Sequence, residues 1–242
     1  MNELFLSIII PARNEEKRLP LTLVSIREHI LRANYAVEVI VVDDGSTDET
    51  ADVVKRFSRL MPQLRLLSLP ENHGKGYAVR QGMLAALGEY RLFMDADNST
   101  TVDHVEKMLP LLRDGYDVVI GSRAVPGALL EPPQAFWKRS FGKAGNVAIR
   151  LFLLPGIWDT QCGFKIFRAA AAEQIFQAVT LNGWSFDIEA LAVARVRGLM
   201  IKEFPVRWVN DARSSVSPWA YPAVFLDVLR IKARRRKGSY NN

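Results

Sequence analysis

Two carboxylates one residue apart stand at the end of a short apolar segment in the middle of the chain. Asp95 and Asp97 directly follow residues 90–94, whose sequence YRLFM predicts a buried strand. Carboxylates at the mouth of a strand can share a Mg²⁺ or Mn²⁺ ion with a substrate diphosphate, because these ions combine few protein carboxylates with phosphate oxygens. The same triplet also fits a solvated turn, so the spacing alone leaves a metal site and a turn both open.

A second acidic segment, DDGSTD at residues 43–48, follows the second apolar run of the chain. A carboxylate such as Asp43 in this position can accept hydrogen bonds from a nucleotide base or from ribose hydroxyls. Ser46 or Thr47 can also cap the helix that is predicted to begin there. The two interpretations are compatible, because different residues carry them.

Glycines and cations occur together in a third segment, GKG at residues 74–76. Lys75 lies at a predicted helix start, and Arg80 follows about one turn later. Backbone N–H groups and fixed positive charge at a helix start suit a phosphate group. The segment lacks the spacing of a P-loop, and no G-x-G-x-x-G follows the first strand, which argues against a kinase or an NAD-dependent enzyme.

Strand-like and helix-like segments alternate through the first half of the chain. Apolar runs predict strands over residues 6–10, 37–42, 64–69, 90–94 and 117–120. Helical periodicity predicts helices over residues 15–34, 47–60, 74–87 and 102–112. This alternation predicts a layered, Rossmann-like α/β domain with a mostly parallel central sheet flanked by helices. Ligands bind outside the carboxyl ends of such strands, so we expect the polar segments that follow them to share one crevice.

The second half of the chain is less regular. Residues 136–154 predict a helix with an apolar stripe beside a polar stripe of Arg139, Lys143, Asn146 and Arg150. That pattern is typical of a helix at a membrane interface and also of an ordinary surface helix, and both remain open. The patterns that follow predict a strand over 162–167, a helix over 185–197 and a strand over 199–206.

Size and charge restrict the class of protein. The 242 residues, 49% of them hydrophobic, can form a sizeable core. Six of the 32 basic residues lie between positions 230 and 237, and the other 26 match the 26 acidic residues in number. A neutral body argues against a broad nucleic-acid surface. The basic end suits an anionic membrane surface, although a solvated terminus has the same composition.

Cysteine content and hydropathy indicate a compartment. Cys162 is the single cysteine, which excludes an internal disulfide and fits a reducing environment. Residues 1–10 lack the basic start of a signal peptide, and no run reaches the roughly 18 apolar residues of a spanning helix. We therefore expect a cytoplasmic protein, peripheral on the cytoplasmic face of a membrane, with no signal peptide or transmembrane helix.

Several short polar segments occur in a fixed order along the chain. They are PARNEE at 11–16, VVDDGSTD at 41–48, NHGKG at 72–76, DAD at 95–97 and GSR at 121–123. In this order they resemble the family 2 glycosyltransferases, which have a GT-A fold. DTQCGFK at 159–165 and WSFDIE at 184–189 look like the polyprenyl-phosphate branch, which includes dolichyl-phosphate glucosyltransferases. The resemblance covers about residues 4–215, so we expect a catalytic domain over 1–215 and an amphipathic, basic tail over 216–242.

The resemblance, together with the cations noted above, implies a role for each polar residue. Residues expected at the nucleotide sugar are Pro11, Ala12, Asn14, Glu15, Asp43, Lys75, Arg80, Asp95, Ala96, Gln161, Trp184 and Arg213. Asp95 and Asp97 would bind Mg²⁺ or Mn²⁺ at the donor diphosphate. The expected catalytic residues are Asp95, Asp97, Asp187 and Arg123, and an acceptor phosphate would be positioned by Arg123, Arg139 and Arg150.

The implied reaction is inverting transfer of a hexose from a nucleotide diphosphate sugar to a polyprenyl or dolichyl phosphate. UDP-glucose is the favoured donor, and GDP-mannose is the alternative. A phosphate acceptor is already largely ionised at neutral pH and needs no strong base. A soluble or glycan hydroxyl acceptor would need one, and Asp187 is then the candidate, although a carboxylate near a helix start can simply favour the helix dipole.

Two other classes of protein remain as alternatives. A nucleotide-sugar-binding protein without turnover would have little need of a metal-binding pair such as Asp95 and Asp97 at the leaving group. A nucleotidyltransferase is also metal-dependent, but the chain has no Gly-rich first loop for it.

Overall fold

The computed structural model describes residues 4–131, 149–150, 153–209 and 220–241. The strands are β1 Leu6–Ala12, β2 Val37–Asp44, β3 Leu64–Leu69, β4 Tyr90–Met94, β5 Val118–Ser122, β6 Leu129–Glu131, β7 Phe164–Arg168, β8 Ile201–Pro205 and β9 Arg207–Val209. The helices are α1 Leu19–Arg32, α2 Thr50–Ser58, α3 Lys75–Ala85, α4 His104–Arg113, α5 Ala169–Ala178, α6 Phe186–Val196 and α7 Ala220–Arg236. Strands and helices alternate from β1 to β5, as the sequence pattern predicts.

A seven-stranded sheet in the order β3-β2-β1-β4-β7-β5-β8 forms the centre of the protein. The pairs β1–β2, β1–β4, β2–β3 and β5–β8 are parallel. β7 is antiparallel to both of its neighbours, β4 and β5. The predicted mostly parallel α/β sheet is therefore confirmed, with one reversed strand inside it. β6 and β9 form a separate two-stranded parallel ribbon.

Hydrophobic residues cover both faces of this sheet. Along β1, Ile9 packs into one buried cluster, whereas Ile8 and Ile10 pack into another. Side chains alternate between the faces of a strand, so the two clusters are the two sides of the sheet. All residues of β1, β2, β4 and β5 are buried, which explains why these strands are continuous apolar runs rather than alternating ones.

The bounds of several elements differ from the sequence prediction. Helix α1 begins at Leu19 instead of residue 15, because Pro20 occupies the first turn and residues 15–18 form a separate turn. Helix α5 was not predicted: its alanine run gives high helix propensity, but only a few large apolar residues mark a face. The helix predicted over 136–154 lies mostly outside the described residues.

The basic end of the chain forms helix α7 and packs on the body. Val228 and Ile231 of α7 and Tyr240 beyond it are buried in the same cluster as residues of α6. None of the helices that the structure describes has the length and apolar character needed to cross a bilayer. The sequence predicted a basic tail here, and the described part of it is a docked helix.

Candidate active site

The carboxyl ends of β1, β2 and β4 bring three of the predicted segments to one edge of the sheet. The three strands are neighbours and run in parallel, so Ala12, Asp43 and Asp95 lie at the same edge. β1 and β2 are longer than predicted, so Pro11 and Asp43 lie within strand ends instead of after them. The Thr22 hydroxyl of α1 donates to the carbonyl of Ala96, 2.6 Å away, and holds the segment after β4.

Asp95 is held by an ion pair with Lys75. The Lys75 ammonium lies 2.6 Å from Asp95 Oδ1, and 5.0 Å from the ring centre of Trp184. Burial alone would lower the pKa of Lys75, but the nearby carboxylates of Asp95, Asp187 and Asp97 outweigh it and raise that pKa. Lys75 is therefore charged at neutral pH, and its ammonium contacts Asp95, the predicted metal ligand, instead of standing free for a phosphate.

Asp95 is also held from the side of β7. Its backbone N–H donates to the carbonyl of Gly163 over 3.0 Å. A Cβ atom added to Gly163 would lie 1.9 Å from Asp95 Oδ2, far closer than atoms can approach. The carboxylate thus occupies the space that a side chain at position 163 would fill, and only glycine leaves it there.

Asp97 faces the same acidic edge. Its Oδ1 accepts a hydrogen bond from the N–H of Ser99 over 2.9 Å. Burial raises the pKa of Glu15, with the charges of Asp97 and Asp95 adding to it and Arg18 opposing it. Several carboxylates close together repel one another, and bound positive charge would relieve that repulsion.

These residues fit a divalent cation. Two carboxylates are the hard oxygen ligands that Mg²⁺ and Mn²⁺ prefer, and the Lys75 ammonium at Asp95 shows that the edge stabilises positive charge. Among the described residues, no group of three or more His, Cys, Asp or Glu side chains is arranged to hold a metal. An ion here would be held by Asp95 and Asp97, with phosphate oxygens of a substrate as further ligands.

In the predicted nucleotide pocket, Asn14 links the segment after β1 to the segment after β2 by hydrogen bonds. Asn14 adopts a left-handed backbone conformation (φ 55°), its N–H donates to the Ser46 hydroxyl, and its Oδ1 accepts from the Thr47 N–H. Asp43 is buried and accepts from the Ser46 N–H over 3.1 Å. The prediction that Ser46 or Thr47 caps α2 is wrong, because α2 begins at Thr50 and Asp48 accepts the Thr50 N–H.

The glycine-rich segment before α3 has a different role from the one predicted. Asp44, which sequence reasoning did not single out, accepts the N–H groups of His73 and Gly74 over 2.8 Å each. The N–H of Gly76 donates to the carbonyl of Asn182 over 2.7 Å. That N–H, predicted for phosphate, is therefore already used within the protein. Arg80 lies against α5, where its Nε donates to the carbonyl of Phe176.

A buried ion pair lies behind this edge. The ammonium of Lys165 in β7 lies 2.6 Å from Asp187 Oδ1 at the start of α6, and it also donates to the carbonyl of Cys162. Both side chains are at least 95% buried. Burial raises the pKa of Asp187 more than the charges of Lys165 and Lys75 lower it. Sequence reasoning missed Lys165, although a lysine inside a predicted strand is a signal for a buried partner.

The predicted acceptor cations have separate partners. Arg123 binds Asp159 through two side-chain hydrogen bonds of 2.7 and 2.9 Å. Its guanidinium carbon lies 5.5 Å from the ring centre of Trp208. Burial would raise the pKa of Asp159, but Arg123 outweighs it and lowers that pKa. The N–H of Gln161 donates to the same carboxylate. Arg150 lies over the ring of Trp158, 3.5 Å from its centre. Arg139 and Arg213 lie outside the described residues.

Comparison with known proteins identifies the family. The model of the family "Glycosyl transferase family 2" matches residues 7–176. This chain belongs to glycosyl transferase family 2. It is 35% identical to the dolichyl-phosphate beta-glucosyltransferase of Drosophila melanogaster, covering 97% of this chain and 76% of that protein. It is 31% identical to the protein of the same name from Homo sapiens, covering 97% and 77% of the two chains.

Solved structures agree with this family 2 assignment at the level of the fold. Mannosyl-3-phosphoglycerate synthase from Rubrobacter xylanophilus has a TM-score of 0.72 at 20% identity, covering 99% of this chain and 76% of that one. Glucosyl-3-phosphoglycerate synthase from Mycobacterium tuberculosis, crystallised with Mn²⁺, UDP-glucose and phosphoglyceric acid, has a TM-score of 0.69 at 20% identity, covering 95% and 80%. The fold is thus the GT-A fold. Membership of the glycosyltransferase family shows that this protein is an enzyme.

The close packing of Gly163 against Asp95 predicts that a side chain at position 163 lowers the activity of this glycosyltransferase. Gly163→Ala should lower kcat about 100-fold, because a 1 Å displacement of a site group can cost that much. In an Asp95→Ala background the same change should have almost no further effect on the rate, since the displaced carboxylate is already gone. Gly183→Ala is the matched control for stability: a Cβ there meets nothing within 4 Å. Full activity of Gly163→Ala would contradict the claim that a side chain at position 163 displaces the Asp95 carboxylate.

Proposed function

We propose that this glycosyltransferase transfers glucose from UDP-glucose to a polyprenyl phosphate such as dolichyl phosphate, with inversion at the anomeric carbon. The observation that carries the proposal is the Asp95 carboxylate, fixed 2.6 Å from the Lys75 ammonium beside Asp97 at the carboxyl edge of the sheet. The names of the curated relatives, dolichyl-phosphate beta-glucosyltransferases, support the sugar and the acceptor. The nucleotide in crystals of a fold neighbour supports UDP-glucose as donor.

Asp95 and Asp97 would hold a Mg²⁺ or Mn²⁺ ion at the donor diphosphate. When bound, such an ion would neutralise the negative charge that develops on the leaving nucleoside diphosphate. Lys75 orients the Asp95 carboxylate through their ion pair and adds a positive charge near the leaving group. Asp43 and Asn14 lie at the same edge, where carboxylate and amide groups can bind a base or ribose.

The burial of Asp187 and its ion pair with Lys165 favour a phosphate acceptor over a hydroxyl acceptor. A hydroxyl needs a base that can reach it, but Asp187 is 4% exposed and bound to Lys165. A phosphate monoester, with its second pKa near 6, brings its own negative oxygen and has only to be positioned. Arg150 offers a cation for this, since its buried Nε has no hydrogen-bond partner among the described residues. Arg123 offers another, oriented by Asp159.

A lipid acceptor requires contact with a membrane, and α7 offers a surface for it. Phe225, Leu226 and Leu229 are each about half exposed. The exposed basic residues Arg230, Arg235, Arg236 and Lys237 follow directly. Apolar side chains beside basic ones suit the surface of an anionic bilayer, at about 1 kcal/mol per basic residue near it. We place the protein peripherally on the cytoplasmic face, in keeping with its single, buried cysteine.

The experiment is a transfer assay with a panel of donors and acceptors. The full-length protein is incubated with Mn²⁺, polyprenyl phosphate in detergent, and radiolabelled UDP-glucose or GDP-mannose. We expect label in the lipid fraction from UDP-glucose, with a β linkage. Label that appears only in a water-soluble acceptor such as phosphoglyceric acid would overturn the lipid acceptor. Transfer from GDP-mannose alone would overturn the donor.

A further inference from the structure

Glu189 is the one acidic residue of the WSFDIE segment whose role the site leaves open. It lies on α6, two residues after Asp187, and is fully buried. Its carboxylate accepts the N–H groups of Thr180 and Leu181 over 2.8 and 2.7 Å. A buried carboxylate is costly unless it is fully hydrogen-bonded, so these contacts are strongly maintained.

The other partners of Glu189 come from the C-terminal part of the chain. The Tyr240 hydroxyl donates to Glu189 Oε1 over 2.7 Å, and Arg234 of α7 lies 3.2 Å from the same oxygen. Tyr240 is itself buried, and its carbonyl accepts from Arg197 at the end of α6. Glu189 therefore joins residues 234–240 to the segment at 180–182.

That segment in turn sets the start of α3. The carbonyl of Asn182 accepts the N–H of Gly76, and a Cβ on Gly76 would lie 2.5 Å from the carbonyl oxygen of Leu181. A Cβ on Gly74 would likewise lie 2.5 Å from the carbonyl oxygen of Asn182, so the two backbones are in direct contact on either side of Lys75. Lys75 reaches from this contact to Asp95 over 2.6 Å. A displacement of the segment would move the Lys75 backbone with it.

We propose that Glu189, held by Arg234 and Tyr240, is a positioning residue for the Lys75–Asp95 pair. The C-terminal segment at 234–240 is then part of the support of the active site. Glu189 touches no substrate in this account and acts through residues 180–182 and the backbone of α3. The inference rests on the donor site of the proposed function, but its first readout does not depend on donor or acceptor.

The test is amide hydrogen exchange, followed by mass spectrometry, in the full-length protein. Tyr240→Phe removes one hydrogen bond to the buried carboxylate, so exchange at Gly76 and Tyr77 should accelerate about tenfold. Glu189→Gln should accelerate it further. Tyr35→Phe is the matched control: its hydroxyl donates to Glu106 over 2.5 Å, near the junction of α1 and β2. That variant also loses a tyrosine-to-carboxylate hydrogen bond, in this case to the half-exposed Glu106, and should leave residues 76–77 at the wild-type rate.

Kinetics supply the second readout. With Tyr240→Phe we expect kcat to fall several-fold with little change in the KM for a lipid acceptor, because Lys75 acts at the leaving group. Wild-type exchange at residues 76–77 in both Tyr240→Phe and Glu189→Gln would overturn the proposal. Equal acceleration in Tyr35→Phe would also overturn it, since the effect would then be general destabilisation. If the wild-type protein transfers no glucose, the donor and acceptor are wrong, and the exchange result still decides the role of Glu189.

Discussion

Replacing Asp97 by Asn should lower glucosyl transfer about 10³-fold, which corresponds to roughly 4 kcal/mol of transition-state stabilisation. The substitution keeps an oxygen that can accept the Ser99 N–H, so the local turn should persist. It removes the negative charge that would hold a divalent cation at the donor diphosphate. The measurement is kcat in the polyprenyl phosphate assay, at saturating Mn²⁺, with thermal unfolding as a check of the fold.

Asp103→Asn is the matched control for this result. Asp103 is an exposed carboxylate paired with Arg32 on the surface, and its loss should change neither turnover nor stability appreciably. Asp97→Ala should be at least as inactive as Asp97→Asn. Turnover of Asp97→Asn within threefold of the control would show that Asp97 binds no essential cation.

Replacing Lys165 by Met should destabilise the protein by about 3–5 kcal/mol, because it leaves the Asp187 charge buried without its partner. Methionine fills a similar volume, so the cost is electrostatic rather than a cavity. The free energy of unfolding, measured in urea, gives the effect directly. Without Lys165 the folded-state pKa of Asp187 should rise further above its unfolded value, so the deficit should be largest at high pH and shrink as pH falls.

Two variants distinguish the effect of breaking the buried Lys165–Asp187 pair from the effect of losing any lysine charge. Lys165→Met combined with Asp187→Leu should recover most of the stability, since no unpaired charge then remains. Lys55→Met breaks an exposed pair with Asp52 and should cost less than about 1 kcal/mol. A cost for Lys165→Met as small as that of Lys55→Met would contradict a buried, interacting pair.

The first half of the fold could be predicted from sequence because its physics is local. β1 and β2 are covered on both faces, and such strands must be continuous apolar runs ended by polar segments. Parallel neighbours then bring those segments to one edge whatever the details of packing. The convergence of Asp43 and Asp95 follows from these two rules alone.

The rest of the site depends on contacts between distant segments. Met94 pairs with Phe164 in the antiparallel register of β4 and β7, and this places Gly163 against Asp95. Nothing in the sequence around residue 163 predicts that strand β7 inserts between β4 and β5. The Gly74 and Gly76 pair likewise suggests a phosphate loop, whereas its close contacts are with the backbone of residues 181–182. In each case a glycine in the sequence indicates that another group approaches the backbone closely, but it does not indicate which residue that group belongs to.

The measurement that tests the Asp95–Asp97 site most directly is Mn²⁺ binding followed by electron paramagnetic resonance, with and without UDP. We expect the wild-type protein with UDP to remove free Mn²⁺ from solution beyond what UDP removes alone, because the two carboxylates and the diphosphate would bind the same ion. Asp97→Asn should lose this additional binding. Equal Mn²⁺ binding by wild type and Asp97→Asn in the presence of UDP would contradict the assignment of these carboxylates to the donor metal.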